Sequence, residues 1–114
     1  MKVGLIYDDI FLEHKTPSFH PESPERLRAI LNSINSDLKL KESLIWIKPK
    51  KAEIEDVIKV HSKDYVEDIL SSKEGYLDGD TYLSKGSKES ALYAVGAVIT
   101  AVDYAKDGKI KSAF

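Results

Sequence analysis

A helix that is apolar on every side sets the strictest requirement on how this chain folds. The sequence predicts it over residues 87–106, with Gly108 at the position where helices usually end. Residues 91–102 are apolar or small all round, so the helix is expected to lie buried beneath other elements. The run is too short and too rich in alanine to span a membrane. The rest of the chain must therefore supply layers that cover it.

The predicted strands favour a parallel sheet. Residues 3–7 are apolar without alternation, which is typical of a strand buried on both faces. Residues 43–48 predict a second strand that Pro49 stops, and residues 109–114 predict the entry to a third. Because helical patterns separate these strands, the order favours a three-layer α/β fold.

The predicted helices also limit the architecture. They cover residues 24–36 and 52–60, and another begins at Ser62 and Asp64; long loops are expected at 10–22 and 75–86. Three strands make a small sheet that cannot cover an all-round apolar helix. We therefore expect residues 1–114 to be the N-terminal part of one larger domain, with an unpaired sheet edge and exposed apolar surface.

Composition narrows the function classes. The 114 residues carry a net charge of −2, well mixed along the chain, so no basic stripe predicts nucleic-acid binding. With no cysteine, disulfides and thiolate metal sites are excluded. The first apolar run is too short for a signal peptide and no membrane span is predicted, so a cytoplasmic protein is expected.

Residues 20–26 form a predicted corner between the first strand and the first good helix. Ser23 is expected to cap that helix with its hydroxyl, Pro24 suits its first position, and Glu25 faces the positive end of the helix dipole. The apolar face that follows consists of Leu27, Ile30, Leu31 and Ile34.

The histidines show no metal-binding spacing. His14 and His20 lie six apart in a loop, His61 precedes a helix cap, and none has a helical partner four residues away. For each histidine taken alone, a structural role is favoured over metal binding. His20 is the best functional candidate, because Phe19 and Pro21 would hold it rigidly.

Two acidic clusters admit competing interpretations. Asp8 and Asp9 follow the first strand, as in phosphoacceptor receiver domains, but the second predicted strand ends without the carboxylate that such domains need. Asp78 and Asp80 do not fit a phosphatase motif or a calcium loop. The alternatives are solvated turns, although Asp80 sits between tyrosines ahead of the apolar helix, where a carboxylate can accept hydrogen bonds from a ligand.

Without any family resemblance, the sequence favours a surface position for Arg26. A permanently charged, fork-shaped donor in an interior channel would instead attract a small carboxylate such as acetate.

Taken together, these stretches resemble the N-terminal region of the histone deacetylase superfamily, including its acetoin-utilisation and acetylpolyamine amidohydrolase branches. The matching pieces, in chain order, are Tyr7-Asp8, His14, His20-Pro21-Glu22-x-Pro24-x-Arg26-Leu27, Val60-His61-Ser62-x-Asp64-Tyr65-Val66, Asp80-Thr81-Tyr82, Ser87, Ala91 to Ala97, and Ser112-Ala113-Phe114.

The resemblance implies a three-layer α/β/α arginase/deacetylase-like fold and hydrolysis of acetyl-amides by a zinc-activated water, with a histidine proton shuttle and a tyrosine that polarises the carbonyl. It implies that Asp80 anchors the substrate at the rim, with His20 and Pro21 in the first rim loop. It further implies that Arg26 and Tyr7 line an internal acetate channel.

The family's zinc ligands, double histidine and catalytic tyrosine are expected beyond Phe114. This chain alone is therefore predicted to be inactive and to bind no zinc. We expect acetylated small molecules or protein lysines as substrates, and the missing part of the domain or a second copy as partner. A non-catalytic α/β binding module that reuses this region is the alternative.

Overall fold

A computed structural model describes residues 2–114 and shows a small parallel sheet. Strands β1 (Val3–Ile6), β2 (Leu44–Ile47) and β5 (Ser112–Ala113) lie in the order β2-β1-β5. β1 pairs in parallel with β2 from Val3↔Leu44 to Ile6↔Ile47, and with β5 from Val3↔Ser112. All three predicted strands, and the parallel α/β class, are confirmed.

The helices are α1 (Pro24–Ser36), α2 (Leu38–Ser43), α3 (Ile54–Val57), α4 (Lys63–Ser71) and α5 (Ser87–Lys106). The bounds predicted for α1 and α5 are confirmed, whereas α3 is shorter than predicted. α2 was not predicted; the side chain of Asp37 accepts a hydrogen bond from Leu40 N at 3.0 Å and starts it.

Both predicted loops contain short regular elements. Asp9–Glu13 forms a 3₁₀ helix, and β3 (Gly75–Tyr76) pairs antiparallel with β4 (Tyr82–Leu83) as a hairpin. We use loop A for residues 14–23, which connect the 3₁₀ helix to α1, and loop B for residues 77–81, at the hairpin tip.

Two cap predictions have different outcomes. The Ser62 hydroxyl accepts from Tyr65 N at 3.2 Å and caps α4, as predicted. The Ser23 hydroxyl does not cap α1, which corrects the prediction: α1 begins at Pro24, and it is the Ser23 carbonyl that accepts from Arg26 N at 3.1 Å. Because Pro24 lacks an N–H, one unpaired donor at that helix end is already removed.

The core centres on the sheet, and α1, α4 and the hairpin also contribute to it. Its buried apolar residues are Leu5, Ile34, Ile47, Ala52, Val66, Leu83 and Ile110. Its fully buried side chain is Ile110, which contacts the small surface left by Gly4 in β1. On α5 the buried residues are small or polar: Ser87, Ser90, Gly96 and Thr100.

The prediction that α5 is buried all round is wrong for the described residues. Val95, Val98, Ile99 and Val102 share one face and are 37%, 66%, 39% and 54% exposed. The small face of the helix packs inward because it permits close approach of the backbone. Residues 2–114 leave the face of these four side chains largely uncovered, although Val95 also lines a cavity with residues of α4. We call these four residues the α5 stripe; they are the exposed apolar surface that the sequence predicts. No helix among residues 2–114 has the length and apolar character needed to cross a bilayer.

Candidate functional site

Loops A and B, sixty residues apart in sequence, meet at the side chain of His20. Its Nε2 lies 2.8 Å from the backbone oxygen of Asp80, and its Nδ1 accepts from Glu22 N at 3.1 Å. Because the Glu22 amide is a donor, Nδ1 must be the unprotonated nitrogen. The proton of the neutral ring is therefore on Nε2, which donates to the Asp80 carbonyl.

Loop B is shaped by the carboxylate of Asp78. Its Oδ1 accepts from Asp80 N at 3.0 Å and from Thr81 N at 2.8 Å. These bonds, the one from Asp80 foremost, lower the pKa of Asp78 below its ordinary value. Below the loop the rings of Tyr76 and Tyr82 meet edge to face, with centroids 5.0 Å apart.

Asp80 is therefore held by its main chain while its side chain stays available. Its N–H is bound by Asp78 and its carbonyl by His20. Its carboxylate is exposed and forms no ion pair within residues 2–114, and a side-chain contact with Asp78 helps to lower the pKa of Asp78. An exposed acceptor on a fixed backbone can bind N–H groups of a ligand.

A second connection joins loop A to the first turn of α5. His14 Nδ1 lies 2.7 Å from the hydroxyl of Ser87, which also accepts from Ser84 N at 2.7 Å. The Ser84 hydroxyl donates to Glu13 O at 3.0 Å and accepts from Lys15 N at 2.9 Å. Ser84 thus binds the backbone on either side of His14, while Ser87 binds the His14 side chain.

Glycine permits the close approach at this connection. A Cβ placed on Gly86 would lie 2.5 Å from Glu13 Cβ and 2.6 Å from Glu13 O. Sequence reasoning did not single out Ser84 or Gly86 as site residues; their only sequence signal is that they precede a predicted helix.

Arg26 is exposed and lines a cavity of about 190 Å³ beneath loop A. The other lining residues are Phe11, His14, Glu22, Ser23, Pro24, Leu27, Ser90 and Ala94. Glu22 Oε2 lies 3.7 Å from His14 Nε2. Among residues 2–114, Arg26 forms no ion pair. Its guanidinium is thus a free cationic donor at a cavity sized for a small anion.

Tyr7 lines a different cavity, of about 370 Å³, together with Asp8, Asp9, Trp46, Ile47 and Lys48. Its hydroxyl donates to Asp9 Oδ1 at 3.1 Å. Burial, followed by this hydrogen bond and the Asp9 charge, raises the pKa of Tyr7 to about 12. The structure therefore does not place Tyr7 and Arg26 in one channel.

Phe11 lies between the two cavities. Its ring packs edge-on to that of Tyr7, with centroids 5.9 Å apart, and it also lines the Arg26 cavity.

The acidic pair after β1 is engaged locally. Asp8 accepts from Ile10 N at 2.9 Å and caps the 3₁₀ helix, and Asp9 binds the Tyr7 hydroxyl. Across the described part of the chain, no group of three or more histidine and acidic side chains is arranged to hold a metal ion. The residues present thus do not fit a zinc centre.

Comparison with known proteins identifies the family. The model of the histone deacetylase domain family matches residues 20–114. A probable deacetylase from Archaeoglobus fulgidus is 31% identical over 100% of this chain and 33% of its own length. Histone deacetylase 5 of Arabidopsis thaliana is 30% identical over 99% of this chain and 19% of its own.

A solved structure shows the same fold. The crystal structure of the HDA15 HD domain superposes with a TM-score of 0.83 at 23% identity, over 99% of this chain and 34% of that one. The chain thus spans about a third of the length of that domain and of the archaeal relative. Since the family match covers most of its residues, the chain belongs to the histone deacetylase family.

Proposed function

We propose that this chain supplies the substrate rim and the product cavity of a deacetylase domain that hydrolyses acetyl-amides of the acetyl-lysine or acetylpolyamine type. The observation that carries the proposal is the Asp80 carboxylate, which is exposed while its main chain is bound on both sides. The family match and the similarity to deacetylases support the reaction class.

Asp80 is suited to hold the substrate next to the acetyl group. A carboxylate accepts hydrogen bonds from N–H groups, and a bond to a charged group contributes about 1.5–3 kcal/mol. Because the turn at Asp78 is already formed, little ordering is required when a substrate binds. His20 and Pro21 form the facing side of this rim.

Arg26 is suited to bind the carboxylate product. Its guanidinium matches the planar, bidentate geometry of acetate, and the cavity of about 190 Å³ offers room for a group of that size. Glu22 and His14 line the same cavity. The negative charge of Glu22 would offset part of the positive charge of Arg26, so the anion would be held less tightly and could leave.

The family resemblance implies zinc, but the described residues do not fit it. In this proposal the metal ligands, the proton shuttle and the catalytic tyrosine come from the part of a deacetylase domain that these 114 residues do not include. The chain alone is then inactive, and no catalytic step is assigned to it.

The α5 stripe is the surface on which that remaining part would pack. It combines four aliphatic side chains at helical spacing, each more than a third exposed. Relatives that match the whole of this chain continue well beyond it in length, so an apolar partner surface of the same domain is the occupant we propose.

The test is a chimera in which this chain replaces the aligned third of the Archaeoglobus fulgidus relative. We expect it to hydrolyse an acetyl-lysine peptide, and Asp80→Ala to lower kcat/KM by about 10- to 100-fold with unchanged folding. Glu67→Ala removes a carboxylate from the exposed side of α4 and serves as control. Equal kinetics for Asp80→Ala and the unmodified chimera would remove the rim assignment.

The isolated chain provides the second arm of the test. We expect no turnover and no stoichiometric zinc. Turnover with bound zinc would contradict the assignment of the metal site to other residues. A correctly folded chimera that has no activity would instead favour the non-catalytic binding module.

A further inference from the structure

Both ring nitrogens of His20 are already engaged within the chain. Nδ1 accepts from Glu22 N at 3.1 Å in loop A, and Nε2–H donates to Asp80 O at 2.8 Å in loop B. A substrate could bind this imidazole only by displacing one of these partners. A role in direct substrate binding, which the family resemblance implies, is therefore not the role that this geometry supports.

We propose that His20 is a positioning residue that fixes the rim carboxylate by holding the main chain of Asp80. The inference rests on the proposed function of Asp80 as the substrate acceptor. The bond acts on the carbonyl of Asp80, while Asp78 acts on its N–H. With both ends of the residue held, the direction of its Cα–Cβ bond is set by this chain alone.

The backbone before His20 is consistent with this role. His20 N donates to Pro17 O at 3.1 Å and closes a four-residue turn in which Phe19 has φ of 68°. Positive φ at this position normally requires glycine or asparagine, and another residue costs about 1–2 kcal/mol there. The Phe19 side chain is fully exposed, at 105%, so its own packing does not offset that cost. The turn directs the imidazole of His20 toward loop B.

The other end of loop A is fixed independently. His14 binds Ser87 at the start of α5, and the Lys15 amide binds Ser84. Loop A is therefore anchored to α5 at one end and bound to loop B at the other. It can transmit the position of the helix to Asp80 without contacting a ligand.

Two substitutions separate the two bonds of the ring. In His20→Asn the side-chain oxygen reaches about as far as Nδ1, so the Glu22 contact is kept and the Asp80 contact is lost. In His20→Gln the amide N–H reaches about as far as Nε2, so the Asp80 contact is kept and the Glu22 contact is lost. The pair forms a matched control, since both variants remove the ring.

The first measurement is nuclear magnetic resonance of the 114-residue chain, which needs no activity. We expect ¹⁵N shifts of an unprotonated Nδ1 and a protonated Nε2 at His20. In His20→Asn the Asp80 and Thr81 amides should exchange about 2- to 10-fold faster, whereas in His20→Gln only the Glu22 amide should do so. The opposite tautomer, or equal exchange at Thr81 in both variants, would overturn the proposal.

The second measurement uses the chimera with an acetyl-lysine peptide. His20→Asn should raise KM by about 2- to 10-fold with a smaller change in kcat, and His20→Gln should restore most of the loss. Because His20 acts through Asp80, His20→Asn should add no further loss in an Asp80→Ala background. Independent, additive losses would show that His20 binds substrate itself. If the chimera is inactive, the proposed function fails while the resonance data still decide whether His20 holds Asp80.

Discussion

Gly96 of α5 lies directly against the backbone carbonyl of Lys50. A Cβ placed on Gly96 would fall 1.6 Å from Lys50 O and 2.8 Å from Ala52 N. The same segment is hydrogen-bonded to the helix on both sides, from Ala52 N to Leu92 O and from Lys50 N to Thr100 Oγ1, each at 3.1 Å. The segment that follows β2 therefore lies on α5 without an intervening side chain.

This contact predicts that Gly96→Ala is destabilising. Replacing glycine by alanine in a helix interior stabilises the helix by about 1 kcal/mol. Overpacking typically destabilises the fold by about 1–3 kcal/mol, and by more where the neighbouring backbone cannot move. Because the neighbour is a main-chain oxygen, we expect a net loss of about 2 kcal/mol or more in the free energy of unfolding. Urea denaturation measures it.

Gly79→Ala is the matched control for that substitution. Nothing lies within 4 Å of a Cβ built on Gly79, and the residue lies in the exposed loop B. Its free energy of unfolding should change by no more than about 0.5 kcal/mol. An equal loss in both variants would contradict the close contact at Gly96.

Ser87→Ala tests the connection between loop A and α5. The Ser87 side chain is 4% exposed and binds both His14 and the Ser84 amide, so its removal leaves two partly buried polar groups without this partner. Such a loss costs about 1–3 kcal/mol. Ser71→Ala, at an exposed position at the end of α4, should change the free energy of unfolding by less than about 0.5 kcal/mol. Urea denaturation of both variants measures this difference. Similar losses in the free energy of unfolding for the two would contradict the connection.

The strands and long helices were predictable because each carries its own pattern. Proline at the first position defines the start of α1, and glycine with φ of 71° at Gly108 follows the end of α5. α2 has no such pattern: Leu38 and Leu40 are 70% and 42% exposed, so no apolar face marks it. The hairpin strands have two residues each, too few for alternation to be read.

The candidate site was predictable in its residue types but not in its contacts. His20 and Asp80 were both identified, yet their bond joins residues sixty positions apart through a backbone oxygen, which leaves no trace in side-chain chemistry. The outward direction of the α5 stripe was likewise hidden, because an all-round apolar helix does not reveal which side packs inward. Gly96 and Thr100 decide that side by allowing close approach of the 50–52 backbone.

Tyr7 provides a prediction on pH. Since its pKa is raised from 10.0 to about 12, the folded state favours the neutral phenol. The associated stabilisation is fully present below pH 10.0 and is lost as the pH rises to about 12. Tyrosinate absorbance should show a step near pH 12 that is absent in Tyr7→Phe.

Asp9→Asn separates the causes of that shift. The amide oxygen still accepts the Tyr7 hydrogen bond, but the negative charge that opposes tyrosinate is gone, so the pKa of Tyr7 should fall. It should stay above 10.0, because burial is the largest cause. Asp64→Asn on α4 should leave the Tyr7 step in place. An unchanged step in Asp9→Asn would show that the Asp9 charge does not act on the phenol.

The α5 stripe yields a prediction that separates folding from assembly. Val98 is 66% exposed, so Val98→Lys should change the free energy of unfolding of the isolated chain by no more than about 0.5 kcal/mol. Ile110 is 2% exposed, and Ile110→Ala should cost about 2–5 kcal/mol by leaving a cavity against Gly4.

In the chimera, a lysine at position 98 would place a charge in an apolar contact, so expression of soluble enzyme and its activity should be lost. Val60→Lys, at a valine that is 84% exposed and outside the stripe, is the matched control and should leave both intact. Full activity of the Val98→Lys chimera would show that the rest of the domain does not pack on this face.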